Sequence, residues 1–461
     1  MARSLRYVMY SFLVFALYGL WALAQARADE ITDFTPPKAD QTQKPPKEIV
    51  DAIDQFKQRR FDEALKLFQE YVKKTPDQPP AEILMAQLCA QTNQAYLMRE
   101  YLERTVINTP EDPEAYVIFG EFAMRDRRVT EAALLFAKAK ELLAGFDKSP
   151  NRKKIVEPRT IDGLASVAEA RGKWVDAQAY LETLLTLLPK KDTPRPMQRL
   201  ARALFQQKKA TDALHKLQDA YAIDSKSVAR PEAILALLYH QCFEDEKNAK
   251  LWMDIAVSKA PGDLRTQLTA AQWALEIGKI EEAQTHAAAA MGIDANSFDA
   301  KMLRGVVCLF QKDFEGAEKY FKDAHLQIPS SVPASNNLAL ALCEQKDTTK
   351  KQQAVQYAEA NFRQNQQSVD AASTLGWVYY KNSNLEQAQQ LLSSVARTGN
   401  LSQDTAYYLS QVLYDLGHKP EAKQFLEAML KMKRPFSMRP DATKLLEKIR
   451  SEPAPKAKEK E

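Results

Sequence analysis

An all-α solenoid of about eleven helix–turn–helix repeats is the fold this sequence predicts. Three observations carry that expectation. A small residue returns at a near-fixed interval: Ala64, Met98, Ala132, Ala177, Ala213, Ala249, Ala283, Ala317, Ala354, Ala388 and Ala422. The spacings are 34, 34, 45, 36, 36, 34, 34, 37, 34 and 34, and a period of this size means a stack of like supersecondary units. Bulky apolar residues then follow most of these positions by four and seven residues, as with Phe68 and Tyr71, Leu181 and Leu184, or Leu392 and Val395. That spacing puts them on one face of a helix. A second small residue stands twelve positions earlier, as Ala52, Ala86, Gly120, Ala165, Ala201, Ala271, Gly305, Ala339 and Gly376.

Each unit therefore reads as two helices notched by small side chains where their backbones approach, with bulky residues filling the flanks. Proline closes five of the units, at Pro76, Pro110, Pro189, Pro261 and Pro329. It lacks a backbone donor and clashes with the preceding turn, so it stops the second helix. Units begin near Pro45, Pro79, Pro113, Pro158, Pro194, Arg230, Leu264, Phe298, Val332, Val369 and Gln403. The chain has only thirteen glycines and no long alternating run of β-branched residues, so essentially no sheet is expected.

These residues resemble the tetratricopeptide repeat family, whose pattern runs aromatic, Leu-Gly, Tyr, Ala, Phe, Pro. The best match is Leu375-Gly376, Tyr379, Ala388 and Leu392. Gly305, Ala317, Phe321, Ala324 and Pro329 follow it closely, as do Tyr116, Phe119-Gly120, Ala132, Phe136 and Ala139. Leu237 and Ala287 depart from it. The likeness covers roughly residues 45–436. It implies a right-handed superhelix whose first helices line a concave groove.

Around the repeats, residues 1–28 read as a signal peptide: Arg3 and Arg6, an apolar stretch from Tyr7 to Leu23, then Ala26-Arg27-Ala28. Cleavage after Ala28 would place the protein outside the cytoplasm, in a bacterial periplasm. The alternative is an uncleaved anchor in the inner membrane. Residues 29–44 read as a flexible linker. A first block of three repeats spans 45–143 and a second block of eight spans 158–436. Between them, 144–157 reads as a basic insert loop holding Lys148, Arg152, Lys153 and Lys154, a solvated connector that could also serve as a joint. A smaller insert lies around Lys346 to Lys351. Residues 437–450 read as a capping helix and 451–461 as a charged, disordered tail.

The composition, 45% hydrophobic and 27% charged, is that of a globular chain. Removing residues 1–28 takes away three arginines and no acid, so the net charge falls from +4 to +1. No concentrated basic face appears, and nucleic acid is not expected as a partner. There is no phosphate-binding glycine loop, nucleophile elbow or His-Glu-x-x-His. The five histidines are scattered; His240 and Cys242, two apart on a helix, point to different faces. No metal, cofactor or catalytic residue is assigned, and the chain reads as a non-enzyme. Cys89, Cys242, Cys308 and Cys343 read as small core residues late in first helices. Cys308 and Cys343, in neighbouring units, are the one pair placed to form a disulfide.

The resemblance implies that repeat positions 2, 5, 9, 12 and 13 face the groove. Carried onto units nine to eleven, these are Asn336, Trp377, Tyr380, Lys381, Tyr407, Gln411 and Tyr414. Four aromatics with amide and charged neighbours suit an extended protein partner. The alternative for Trp377 and Tyr380 is packing against the second helix of their own unit. The fifth unit offers Arg195, Gln198, Arg202 and Phe205, and the third Glu114, Glu121, Met124 and Arg125. The function expected is an exported scaffold that binds protein or peptide partners in this groove, within a cell-envelope assembly or secretion complex. The alternative is a glycan-polymer-binding protein of exopolysaccharide export, stacking sugar rings on the aromatic row.

Overall fold

The computed structural model describes residues 46–452 except 93, 148, 400, 433 and 434. The expected signal, the 29–44 linker and the end of the charged tail lie outside them. Among the described residues the chain forms 23 α-helices and no strand, in an all-α repeat solenoid.

The chain divides into two compact units, one ending at Trp252 and the other beginning at Met253. Unit one contains α1 (Lys47–Lys57), α2 (Phe61–Lys74), α3 (Ala81–Gln91), α4 (Ala95–Asn108), α5 (Pro113–Arg125), α6 (Val129–Leu143), α7 (Pro150–Ala170), α8 (Trp174–Leu187), α9 (Pro194–Gln206), α10 (Ala210–Ile223) and α11 (Pro231–Phe243). The division falls inside α12 (Glu246–Lys259). Unit two contains α13 (Leu264–Glu276), α14 (Ile280–Ile293), α15 (Phe298–Phe310), α16 (Phe314–Gln327), α17 (Val332–Cys343), α18 (Thr348–Gln364), α19 (Val369–Lys381), α20 (Leu385–Arg397), α21 (Gln403–Asp415), α22 (Lys419–Leu430) and α23 (Arg439–Ser451). From α1 to α22, odd-numbered helices open each repeat and even-numbered ones close it, and α23 follows the eleventh repeat. In each unit every helix packs against the next, and several first helices also touch the first helix of the following repeat.

The sequence signals sit where they should. All ten periodic alanines have no exposed surface. Ten of the eleven second helices begin three residues before the periodic small position. The five closing prolines each stand two residues past the last residue of a second helix, as Pro76 does after Lys74. Small first-helix residues admit the large second-helix ones. A Cβ on Gly376 would come within 2.6 Å of Leu392 Cγ, and one on Gly305 within 2.5 Å of the Phe321 ring. Phe136 is 1% exposed, and its ring lies against both Gly120 and Gly163.

Corners between paired helices put one residue in the left-handed conformation. Glycine takes that place at Gly172, Gly278 and Gly417, while Arg59, Arg127, Lys208, Lys312 and Ser383 take it elsewhere. The next amide then reaches back five residues: Lys209 N donates to Leu204 O at 3.1 Å and Asp313 N to Cys308 O at 2.9 Å. This satisfies carbonyls that the helix end leaves free. The opposite ends are capped by side chains in unit two. Asp263, Ser297, Ser331, Ser368 and Ser402 each accept a backbone N–H from the helix that follows, each cap contributing about 1 kcal/mol.

The inserts correct two expectations. Residues 150–157, expected in a loop, are the first two turns of α7, and Pro158 lies inside that helix rather than at its start. The extension is held by burial. Val156 is fully covered, and Arg152 is 7% exposed between Asp112 and Glu114. Nor is this region a joint between blocks, because α7 packs on both α5 and α6. The smaller insert lengthens α18 to 17 residues, with Asp347 accepting from the amides of Thr349 and Lys350.

Candidate functional site

The face shared by successive first helices is where the expected site falls. Repetition dictates its chemistry. A residue on one first helix lies beside its counterpart about one repeat later, so side chains on this face meet across repeats rather than within them.

In unit two the aromatic residues meet in this way. Trp377 is 3% exposed, and its ring stacks on Tyr380 at 4.9 Å within α19 and on Tyr408 at 4.4 Å in α21. Tyr407 is 7% exposed and lies 5.6 Å from the same indole, centroid to centroid. Trp377 therefore packs between repeats ten and eleven, a different core from the one expected within its own repeat. Its Nε1 donates to Glu344 Oε1 at 2.8 Å, and Lys381 Nζ donates to Glu344 Oε2 at 2.8 Å. Tyr380 Oη donates to Asp415 at 2.6 Å. Burial raises the phenol pKa values of Tyr380 and Tyr407 first, and Asp415 beside Tyr380 and Asp441 near Tyr407 raise them further.

The other expected residues fall differently. Asn336 is buried and accepts from Asn361 Nδ2 at 2.8 Å, joining the two helices of repeat nine. Asn361 also donates to the carbonyl of Val332 at 3.2 Å. Gln411 and Tyr414 are half-buried. Gln411 Nε2 reaches Asp415 at 3.3 Å, and Tyr414 donates to Glu452 while Lys448 Nζ lies 4.7 Å over its ring. Tyr380, Lys381, Gln411 and Tyr414 are thus the expected groove residues that retain exposed surface, whereas Asn336, Trp377 and Tyr407 are covered.

Unit one carries ion pairs on the equivalent face. Arg159 holds Glu121 through two hydrogen bonds at 2.9 and 2.8 Å. Arg199 donates to Glu169 and Ser166, and also pairs with Asp162. Arg152 joins Asp112 and Glu114 in a buried cluster, at 2.7 and 2.8 Å. Burial works against its charge, but the two carboxylates outweigh burial and raise its pKa. Of the remaining residues expected here, Phe205 is core, packed edge-on to Tyr239 at 4.8 Å.

The sequence reading missed Glu344, Asp415, Tyr408, Arg159 and Arg199. The signal was present. Lys381 and Glu344 are 37 residues apart, Tyr380 and Asp415 are 35, Arg159 and Glu121 are 38. Opposite or hydrogen-bonding partners one repeat apart on first helices mark this face.

Among the described residues no three His, Cys, Asp or Glu side chains gather to hold a metal ion. His240 pairs with Glu246, whereas Cys242 lies beside Arg202 and Gln206. All four cysteines are free and buried, so Cys308 and Cys343 form no disulfide. Burial pushes the Cys89 thiol up to about 12 and the Cys308 thiol up to about 11, which keeps both protonated. No helix among the described residues is long and apolar enough to cross a membrane.

Two family matches agree with this architecture. The family described as "Protein kinase G tetratricopeptide repeat" matches residues 231–433, and the one described as "Tetratricopeptide repeat" matches 99–149. No curated protein matches the chain. Similar solved structures include yeast Tom70, at 13% identity over 87% of this chain and 95% of that one, with a TM-score of 0.35. The Cut9–Hcn1 hetero-tetramer of APC/C is similar at 10% identity over 93% and 98%, with a TM-score of 0.41. A tetratricopeptide repeat protein from Parabacteroides merdae matches at 12% identity over 64% and 99%, with a TM-score of 0.40. Likenesses this distant carry no argument about what the chain binds. Tetratricopeptide repeats are typical of protein–protein interaction scaffolds and are generally non-enzymatic. With helix pairs in register and two family matches along its length, this chain is a tetratricopeptide repeat protein.

Proposed function

We propose that this chain is a non-catalytic scaffold that binds protein or peptide partners on the shared face of its first helices. One observation carries the reading. Within each unit, side chains bridging successive repeats keep partly exposed hydrogen-bonding groups: Arg159–Glu121 in unit one, and Tyr380–Asp415 and Lys381–Glu344 in unit two. Donors and acceptors spaced in this way suit an extended backbone. An open cleft of about 440 Å³ lies elsewhere, on Phe362, Leu375, Tyr379 and Leu391.

The working place we propose is extracytoplasmic, on the strength of the basic start, apolar stretch and Ala26-Arg27-Ala28 of the first 28 residues. An uncleaved segment holding the repeats at the inner membrane is the alternative. The envelope assembly or secretion complex belongs to the same proposal. Polysaccharide binding has less support, because the Trp377 ring already stacks on Tyr380 and Tyr408 and is almost covered.

Affinity capture with the mature chain tests the reading, using Lys381→Ala and Gln411→Ala as paired controls. Stable capture of a protein that both substitutions weaken supports it. Retention of a polysaccharide on a glycan array, with no protein captured, overturns it.

A further inference from the structure

The two ends of unit two meet. Lys312, at the corner between α15 and α16, places its Nζ 2.8 and 2.9 Å from the carboxylate oxygens of Asp441 in the first turn of α23. The two residues are 129 positions apart, whereas stacked repeats mostly touch neighbours. A second contact lies beside it. Pro435 packs against the corner between α13 and α14, where a Cβ on Gly278 would come within 3.3 Å of its Cγ. The segment after repeat eleven thus reaches the corners of repeats seven and eight.

We propose that this contact is a latch that holds unit two closed, and that its release widens the face bearing Tyr380, Tyr407 and Tyr414. Three observations support it. The latch is shallow: the Lys312 side chain is 46% exposed and that of Asp441 29%. An exposed pair of this kind contributes little and weakens in salt. The Asp441 side is anchored by contrast. Phe436 is buried, and α23 sets Ala442, Leu445, Leu446 and Ile449 inward, packing on α22. Finally, the latch bears on the expected site itself, since Asp441 lies close enough to add its charge to the surroundings of Tyr407.

The consequence for partner access rests on the function proposed above; the latch itself does not. The test is a distance measurement on the full chain. Glu281→Cys and Lys444→Cys are both exposed sites for spin labels, and the native thiols are buried. The expected result is one short distance at low salt. Molar salt, or Lys312→Glu, should enlarge a longer-distance population roughly two- to fivefold. Lys312→Glu combined with Asp441→Lys should restore the short distance. Circular dichroism of each variant separates opening from unfolding, and the salt series on unsubstituted Lys312 needs no charge variant. A distance distribution unchanged by both salt and Lys312→Glu overturns the latch. Partner capture is read separately, so its failure would count against the scaffold reading and leave this result standing.

Discussion

Trp377 and Tyr408 lie face to face, with ring centroids 4.4 Å apart and planes 16° from parallel. One belongs to α19 and the other to α21, so the stack joins repeat ten to repeat eleven. It contributes to stability before it contributes to any binding. Trp377→Ala should cost about 3–5 kcal/mol, the range for emptying a large buried aromatic site. Chemical denaturation would measure it. An unchanged midpoint would show that the ring is free to meet a partner. Loss of binding in Trp377→Ala is therefore ambiguous, and Gln411→Ala and Lys381→Ala are the cleaner probes.

Gly376→Ala sets two effects against each other. Alanine is favoured over glycine in a helix by roughly 1 kcal/mol. The added Cβ would sit 2.6 Å from Leu392 Cγ, a branch point that cannot swing aside alone. Overpacking of this kind costs about 1–3 kcal/mol, so the net effect should be destabilising. A thermal melt at or above that of the parent would mean that the helix pair is looser than this packing.

Arg152 distinguishes a structural helix from a solvated loop. Arg152→Ala leaves Asp112 and Glu114 covered without their partner. Breaking a buried pair from one side costs about 3–5 kcal/mol. Loss of exchange protection in Asn151–Glu157 should accompany it. A substitution that leaves both stability and protection intact would return this segment to the loop expected from its charge.

Alkali should weaken the fold. The thiols of Cys89 and Cys308 are pushed up to about 12 and about 11 from an ordinary value of 9.0, and the Tyr379 phenol up to about 12 from 10.0, burial being the first cause in each case. A group whose pKa is higher in the folded chain contributes stability that is complete below its unfolded value. That contribution is lost as pH rises through the folded one. The decline should begin near pH 9 and continue to about pH 12. Thiol titration with an aromatic disulfide should likewise find no reactive cysteine until denaturant is added. Rapid reaction in the native state, or constant stability across that range, would contradict the burial.

The repeat was legible because its cause is local and recurrent. Ala64 to Ala422 mark the close approaches, and Pro76, Pro110, Pro189, Pro261 and Pro329 follow the second-helix ends. Two things escaped. Pro158 looked like a helix start because proline favours that place, but the burial of Arg152 and Val156 carried the helix past it. Trp377 and Tyr407 stood at groove positions, yet side chains of this size are drawn under their neighbours when the next repeat supplies Tyr408. The Lys312–Asp441 contact has no periodic signal, because it depends on how far unit two curves.

Photo-crosslinking in intact cells addresses the scaffold reading most directly, with the photoreactive residue placed at Gln411 on the first-helix face and at Leu326, exposed on α16. The expected result is a discrete protein adduct from Gln411 and none from Leu326. Protein adducts from Leu326 alone, or carbohydrate adducts from Gln411, would contradict it.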